Sequence, residues 1–150
     1  MKKHLILTLF LISTLSFACK KDSTPTTTTT TKSAEELLTA HTWKIDELRY
    51  VYRGVLEHYQ RGIPGNVDYF ANEFLKFNAD HTGNNDNNTP LTWQFIDAAK
   101  TKLKFILNIT PTPLEVNWEQ VVLKDNSITY SEYWVRSDGP ACGFGTRSPK

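Results

Sequence analysis

This sequence predicts an all-β domain: a small up-and-down antiparallel barrel of about eight strands, preceded by one short helix. Three observations carry that expectation. From Thr42 onward, runs rich in β-branched and aromatic residues recur between polar turns. Within several runs the apolar residues alternate with polar ones, the two-residue period of a strand with one dry face. Residues suited to tight turns fall in the gaps.

The chain has 150 residues and opens with a different kind of segment. Lys2 and Lys3 form a positive start, and Leu5 to Leu15 is apolar apart from Thr8, Ser13 and Thr14. At 1.5 Å per residue that run is too short for about 30 Å of hydrocarbon, so it reads as a signal peptide over residues 1–18. Leu15-Ser16-Phe17-Ala18-Cys19 resembles a lipobox, in which a small residue precedes a cysteine that carries diacylglycerol. Cys19 is therefore the expected lipidation site and the first residue of the mature protein. Two or three acyl chains hold a protein to a bilayer, whereas one is a marginal anchor. Lys20 stands where an aspartate would resemble an inner-membrane retention signal, which points to the outer membrane. Cys19-Lys20-Lys21-Asp22 partly resembles an export signal of surface lipoproteins, so both a periplasmic and a surface-exposed position stay open.

Residues 19–32 read as a lipidated linker. Ser23 to Thr31 is almost pure threonine with one proline and has nothing to bury, so the stretch is expected to be a disordered spacer. Asp22-Ser23-Thr24 resembles an O-glycosylation acceptor, with Ser23 the modified residue.

The domain proper is expected over 33–150. Ser33-Ala34-Glu35-Glu36 fits a capping box, in which hydroxyl and carboxylate each satisfy a backbone amide at a helix start. A helix through Leu37 and Leu38 to about Ala40 cannot bury those leucines alone, so it should lie as a lid on the body that follows. Eight strands are then expected at 42–52, 55–60, 73–78, 82–86, 91–97, 102–108, 115–124 and 127–136. Leu75 and Phe77, Trp93 and Phe95, Leu103, Phe105 and Leu107, Val116, Trp118 and Val122, and Ile128, Tyr130 and Trp134 supply the dry faces. The asparagine-rich run from Gly83 to Asn88 makes the fourth strand the least marked. Turns are expected at Arg53-Gly54, Ala79 to Gly83, Asp97 to Thr101 and Lys124 to Ser127. A meander of this length either closes or leaves an exposed edge, and closure removes the edge.

Leu37-Leu38, Thr42-Trp43-Lys44, Leu75-Lys76-Phe77-Asn78-Ala79-Asp80-His81-Thr82-Gly83 and Thr92-Trp93-Gln94-Phe95 together resemble the lipocalin-like lipoproteins of Bacteroidota. The resemblance spans most of 33 to 136 and implies a calycin-like barrel that binds a small apolar or amphipathic ligand. It also implies that Trp43 packs under the closed end, with a basic residue near the end of the last strand across its ring. Arg136 is that residue if the eighth strand closes on the first.

Charge and cysteine content narrow the functions. Loss of Lys2 and Lys3 turns 17 basic and 16 acidic residues into 15 and 16, a near-neutral domain without an electrostatic footprint for nucleic acid. Acylation of Cys19 leaves only Cys142, so no internal disulfide forms; Cys142 is either a small buried residue, the favoured reading, or a free thiol. His41, His58 and His81 do not pair at metal-ligand spacing. Asp80, Asn84, Asp86 and Asn88 offer oxygens in one loop but lack the order of a calcium loop and read as a solvated turn. No nucleophile elbow or other catalytic signature is present, so no enzyme and no cofactor is expected.

The binding question falls on Phe77, Trp93, Phe105, Trp118, Tyr130 and Trp134, an inward row expected to line any ligand site and also to fill much of the interior. Tyr50, Tyr52, Tyr59 and Tyr69, with Arg53 and Arg61, are candidate platforms at a barrel mouth, or simply amphipathic strand residues. The alternative to ligand binding is a non-catalytic envelope adaptor whose filled barrel contacts a protein or a glycan. The oligomeric state is open.

Overall fold

The computed structural model describes residues 31–63, 70–136 and 139–150, with the side chain of Arg136 excepted. The signal peptide, Cys19, Ser23, most of the linker and Tyr69 lie outside the described residues.

Helix α1, Ala34–Thr39, starts with the expected capping box: the Glu36 amide donates to Ser33 Oγ at 3.1 Å and the Ser33 amide to Glu36 Oε2 at 2.7 Å. Nine strands follow among the described residues: β1 Thr42–Tyr52, β2 Val55–Gln60, β3 Phe74–Phe77, β4 Thr82–Asn85, β5 Pro90–Phe95, β6 Leu103–Leu107, β7 Leu114–Lys124, β8 Ser127–Arg136 and β9 Gly139–Pro149. Every neighbouring pair is antiparallel, and β9 pairs with β1 along its length, so the sheet closes. The circuit is β1-β3-β4-β5-β6-β7-β8-β9, an eight-stranded barrel with β2 as an extra strand.

The eight expected strands all form, but membership of the barrel differs. β2 is outside the circuit and β9 is inside it. The reason lies on β1, whose one edge is shared: Thr42 to Lys44 pair with β3, and Glu47 to Tyr52 pair with β2. Between those halves the register on β9 slips at Ile45/Glu47, a β-bulge that bends the strand. The bulge also resets the inward phase, from Trp43 and Ile45 to Leu48 and Tyr50. Asp46 at the bulge is held from two sides, by Ser148 Oγ at 2.9 Å and by Arg61 at 3.1 Å.

A second bulge corrects the dry face expected for β7. Gln120 takes a positive φ of 53°, the register against β8 shifts between Glu119 and Val122, and Val121 turns inward in place of Val122, which is 50% exposed. Local turn chemistry otherwise behaves as the residues require. Arg53 and Gly54 both have positive φ, as a two-residue hairpin needs, and His81 sits at 64° in the turn between β3 and β4. Asp80 Oδ1 accepts from the Thr82 amide at 3.0 Å and its hydroxyl at 2.6 Å, which holds the Asp80 carboxyl below its usual range.

The core has two parts. At the end where β1 begins, Phe77 makes edge contacts with Trp93, Phe105 and Trp118 at centroid distances of 5.9, 5.9 and 6.0 Å, while Trp118 stacks on Tyr130 at 3.9 Å. Leu38 of α1 is fully buried against this cluster, and Trp43 Nε1 donates to its carbonyl at 2.7 Å. The helix thus closes that end, as expected of a lid. The smaller cluster, Ile45, Leu48, Tyr50 and Tyr59, lies along the far half of β1 with Phe70 and Trp134 packed on it.

Candidate functional site

Between the two clusters the interior is open. A cavity of about 440 Å³ is walled by Ile45, Leu48, Leu75, Leu107, Leu114 and Val116, with Phe105 and Trp134 at its sides and Tyr50, Tyr52 and Phe70 toward the end where β2 departs. The cavity exists because β3, β4 and β6 are short while β1, β7, β8 and β9 run on past them. Rings therefore fill one end of the barrel and thin out toward the other. Of the six aromatic residues expected to line a site, Phe105 and Trp134 do so; Phe77, Trp93, Trp118 and Tyr130 belong to the packed end. Tyr50 and Tyr52 among the candidate platforms reach the cavity, whereas Tyr59 is buried in the smaller cluster.

The lining also contains charge that the alternation pattern does not reveal. Glu132 follows Tyr130 on the same face of β8 and Arg147 comes from β9; together with Glu73, just before β3, they share one side of the cavity. Arg147 is only 2% exposed. Its Nη1 and Nη2 donate to Glu73 Oε2 and Oε1 at 2.9 and 3.0 Å, its Nε donates to the Tyr130 hydroxyl at 3.0 Å, and Nη1 also reaches the Trp43 carbonyl at 3.3 Å. The guanidinium carbon lies 5.2 Å from the Trp118 ring centroid and 5.6 Å from that of Tyr130. Pairing, hydrogen bonding and ring contact together compensate the desolvation of a buried cation. Burial alone lowers the guanidinium pKa, and the opposing Glu73, Tyr130 and Glu132 raise it further than burial lowers it.

Glu132 has less support. Its Oε2 accepts from Trp118 Nε1 at 2.6 Å, and among the described residues its Oε1 has no hydrogen-bond partner. Burial pushes its carboxyl up to about 7, against the lowering effects of Arg147 and the indole hydrogen bond; Glu73 adds to the rise. Burial likewise raises the Tyr130 phenol well above its usual range. Nearer the opening, Tyr50 OH donates to Glu57.

Room for Tyr130 and Arg147 comes from a glycine. Tyr130 faces Gly145 across the β8–β9 ladder, and a Cβ there would lie 2.5 Å from the ring's Cζ and hydroxyl.

The expected pairing of Trp43 with Arg136 does not follow from the strand order. β9 stands between β8 and β1; Trp43 is level with Pro149 and Arg136 with Gly139, at opposite ends of β9. Ten residues of strand separate those levels, about 33 Å. The basic residue that reaches Trp43 is Arg147, through the Trp43 carbonyl, and its guanidinium lies over Trp118 and Tyr130. Cys142 also departs from the favoured reading: it is exposed, pointing outward from β9. Among the described residues no group of three His, Cys, Asp or Glu is placed to hold a metal ion.

Outside the barrel, Leu56, Val51, Cys142 and Tyr133 stand side by side across β2, β1, β9 and β8. All four are exposed, Leu56 by 71% and Tyr133 by 49%. They form an apolar row with Val135 and Phe144 nearby.

Comparison with known proteins returns no matching family model, no matching curated protein and no matching solved structure. The closed antiparallel eight-stranded barrel is consistent with a calycin-like fold.

Proposed function

We propose that this chain is a lipoprotein of the outer membrane, anchored through Cys19, whose lipocalin-like barrel binds a small apolar or amphipathic ligand without transforming it. The observation that carries the reading is the cavity: about 440 Å³, apolar on most of its wall, with a few polar groups gathered on one side. Small-molecule sites commonly have about 300 to 1,000 Å³ and that distribution of surface. The lipobox at Leu15 to Cys19 and the lysines after it support the anchor and the outer-membrane, periplasmic or surface-exposed location, and the motifs between Leu37 and Phe95 support kinship with the lipoproteins of Bacteroidota.

A carboxyl that titrates near neutrality invites comparison with a general acid. Glu73 and Arg147, however, occupy each other, and no second uncommitted group converges on Glu132 among the described residues. Recognition accounts for the arrangement with fewer parts than catalysis.

The exposed row of Leu56, Val51, Cys142 and Tyr133 favours a second reading, an envelope adaptor that docks through the outer face of the barrel. Native mass spectrometry of the protein purified from its own envelope separates the two. A retained small molecule, lost on unfolding, is expected for the binding protein. A bare chain that also leaves apolar probes unbound would leave the adaptor.

A further inference from the structure

Resting on the reading of the cavity as a ligand site, we propose that it selects amines: an apolar body carrying an ammonium group that seats against Glu132. The charged groups on the cavity wall are Glu57, Glu73, Glu132 and Arg147, beside the hydroxyls of Tyr50 and Tyr52. Arg147 spends its donors on Glu73, Tyr130 and the Trp43 carbonyl, and the faces of its guanidinium meet Trp118 and Tyr130. Both Glu73 oxygens are taken by that arginine. Glu57 accepts from Tyr50 OH at the mouth. Of the charged groups that leaves Oε1 of Glu132, a carboxylate oxygen beside an apolar chamber with no hydrogen-bond partner among the described residues.

Charge decides which head group fits. Three carboxylates and one guanidinium line the space, and the guanidinium is already neutralised by Glu73, so an anionic ligand meets an uncompensated negative wall. A hydroxyl offers Glu132 one ordinary hydrogen bond. An ammonium offers a charge-assisted one, which is roughly twice as strong. Seating a cation also holds Glu132 ionised against its burial. The groups that face it are Trp118 Nε1 from β7, Arg147 from β9, Glu73 from the segment before β3 and Tyr130 on its own strand; Glu73 is paired with Arg147, and burial raises the carboxyl of Glu132. Amine binding below neutral pH therefore expels one proton from Glu132.

Calorimetric titration of the full chain with octylamine, octan-1-ol and octanoate tests this. At pH 8 octylamine is expected to bind at least about tenfold more tightly than the other two, and in Glu132→Gln to bind no better than octan-1-ol, whose affinity is unchanged. In the unaltered protein octylamine affinity should fall about tenfold from pH 8 to pH 6, with a proton released on binding at pH 6 that buffers of different ionisation enthalpy reveal. Equal binding of amine and alcohol, or a preference that survives Glu132→Gln, overturns the amine assignment and leaves the cavity as an apolar site. Failure of all three probes to bind overturns the ligand-binding reading itself.

Discussion

Arg147 grips Glu73 with both arms of its guanidinium, Nη1 at 2.9 Å and Nη2 at 3.0 Å, on the one polar side of a largely apolar cavity. The pair joins β9, the strand that closes the barrel, to the segment that leads into β3. Glu73→Gln leaves a buried cation short of its counter-charge and should cost about 3 to 5 kcal/mol in urea unfolding. Replacing both partners by apolar residues, Arg147→Met with Glu73→Leu, should recover most of that loss. A double variant as unstable as the single one would show that the hydrogen bonds to Tyr130 and Trp43, rather than the ion pair, set the stability.

Stability should depend on pH through Glu132. Its folded-state value of about 7 lies above the ordinary 4.5, so between those values the folded protein holds a proton that the unfolded chain has lost. Raising the pH through that window therefore destabilises the fold, by up to about 3 kcal/mol at completion. The exposed carboxyls held low, Asp80 and Asp97 among them, act in the opposite sense only as the pH falls through their own lower range. Thermal unfolding at pH 5.5 and pH 8 should show the decline, and Glu132→Gln, which still accepts from Trp118, should flatten it.

Gly145→Ala should destabilise by about 3 kcal/mol, because the added methyl meets the buried Tyr130 ring at 2.5 Å and neither ring nor strand has free space to yield. Near-ultraviolet circular dichroism should change with it, since Tyr130 is stacked on Trp118. A neutral substitution would mean that β9 can move away from β8 at this level.

Cys142 should react with a thiol reagent in the folded protein within a few-fold of its rate in denaturant, as its exposure requires. Cys142→Ser should shift stability by less than about 0.5 kcal/mol. Strong protection in the native state would place something over the apolar row on which the cysteine stands.

Cys19→Ala should move the protein from the membrane fraction to the soluble one and leave the unfolding temperature of the barrel unchanged. Retention in the membrane fraction would exclude acylation as the anchor.

The sequence announces β3, β5 and β6 because their inward residues are large and apolar at every second position, β8 because Ile128, Tyr130 and Trp134 keep that phase around Glu132, and α1 because Ser33 and Glu36 frame it. β9 is silent for a physical reason. Its inward positions are Ala141, Gly143, Gly145 and Arg147, and Gly139, Pro140 and Pro149 add residues that strands usually avoid. Those small residues are what the neighbours demand: a Cβ at Gly143 would collide with the Arg49 carbonyl and Tyr50, and one at Gly145 with Tyr130. Missing β9 moved the seam of the barrel one strand too early and set Arg136 where Arg147 belongs. The candidate site was half visible, in Phe105 and Trp134; Glu73, Glu132 and Arg147 were not, because charged residues at inward positions look like solvent-facing ones until the register is known. The two bulges change the inward phase within β1 and β7, marked by register shifts against β9 and β8 and, at Gln120, by a positive φ.

The shared edge of β1 separates the two ends of the barrel by role. α1 and the start of β1 lie at the filled end, and the Lys150 amide returns to the Thr42 carbonyl at 2.8 Å, so the chain enters and leaves the barrel side by side. Among the described residues the opposite end carries the β1–β2 hairpin at Arg53-Gly54. A short bridge from Lys150 to Ser33 therefore makes a circular permutant whose new ends can be cut at the other end of the barrel, at Arg53-Gly54, without reordering a strand of the circuit.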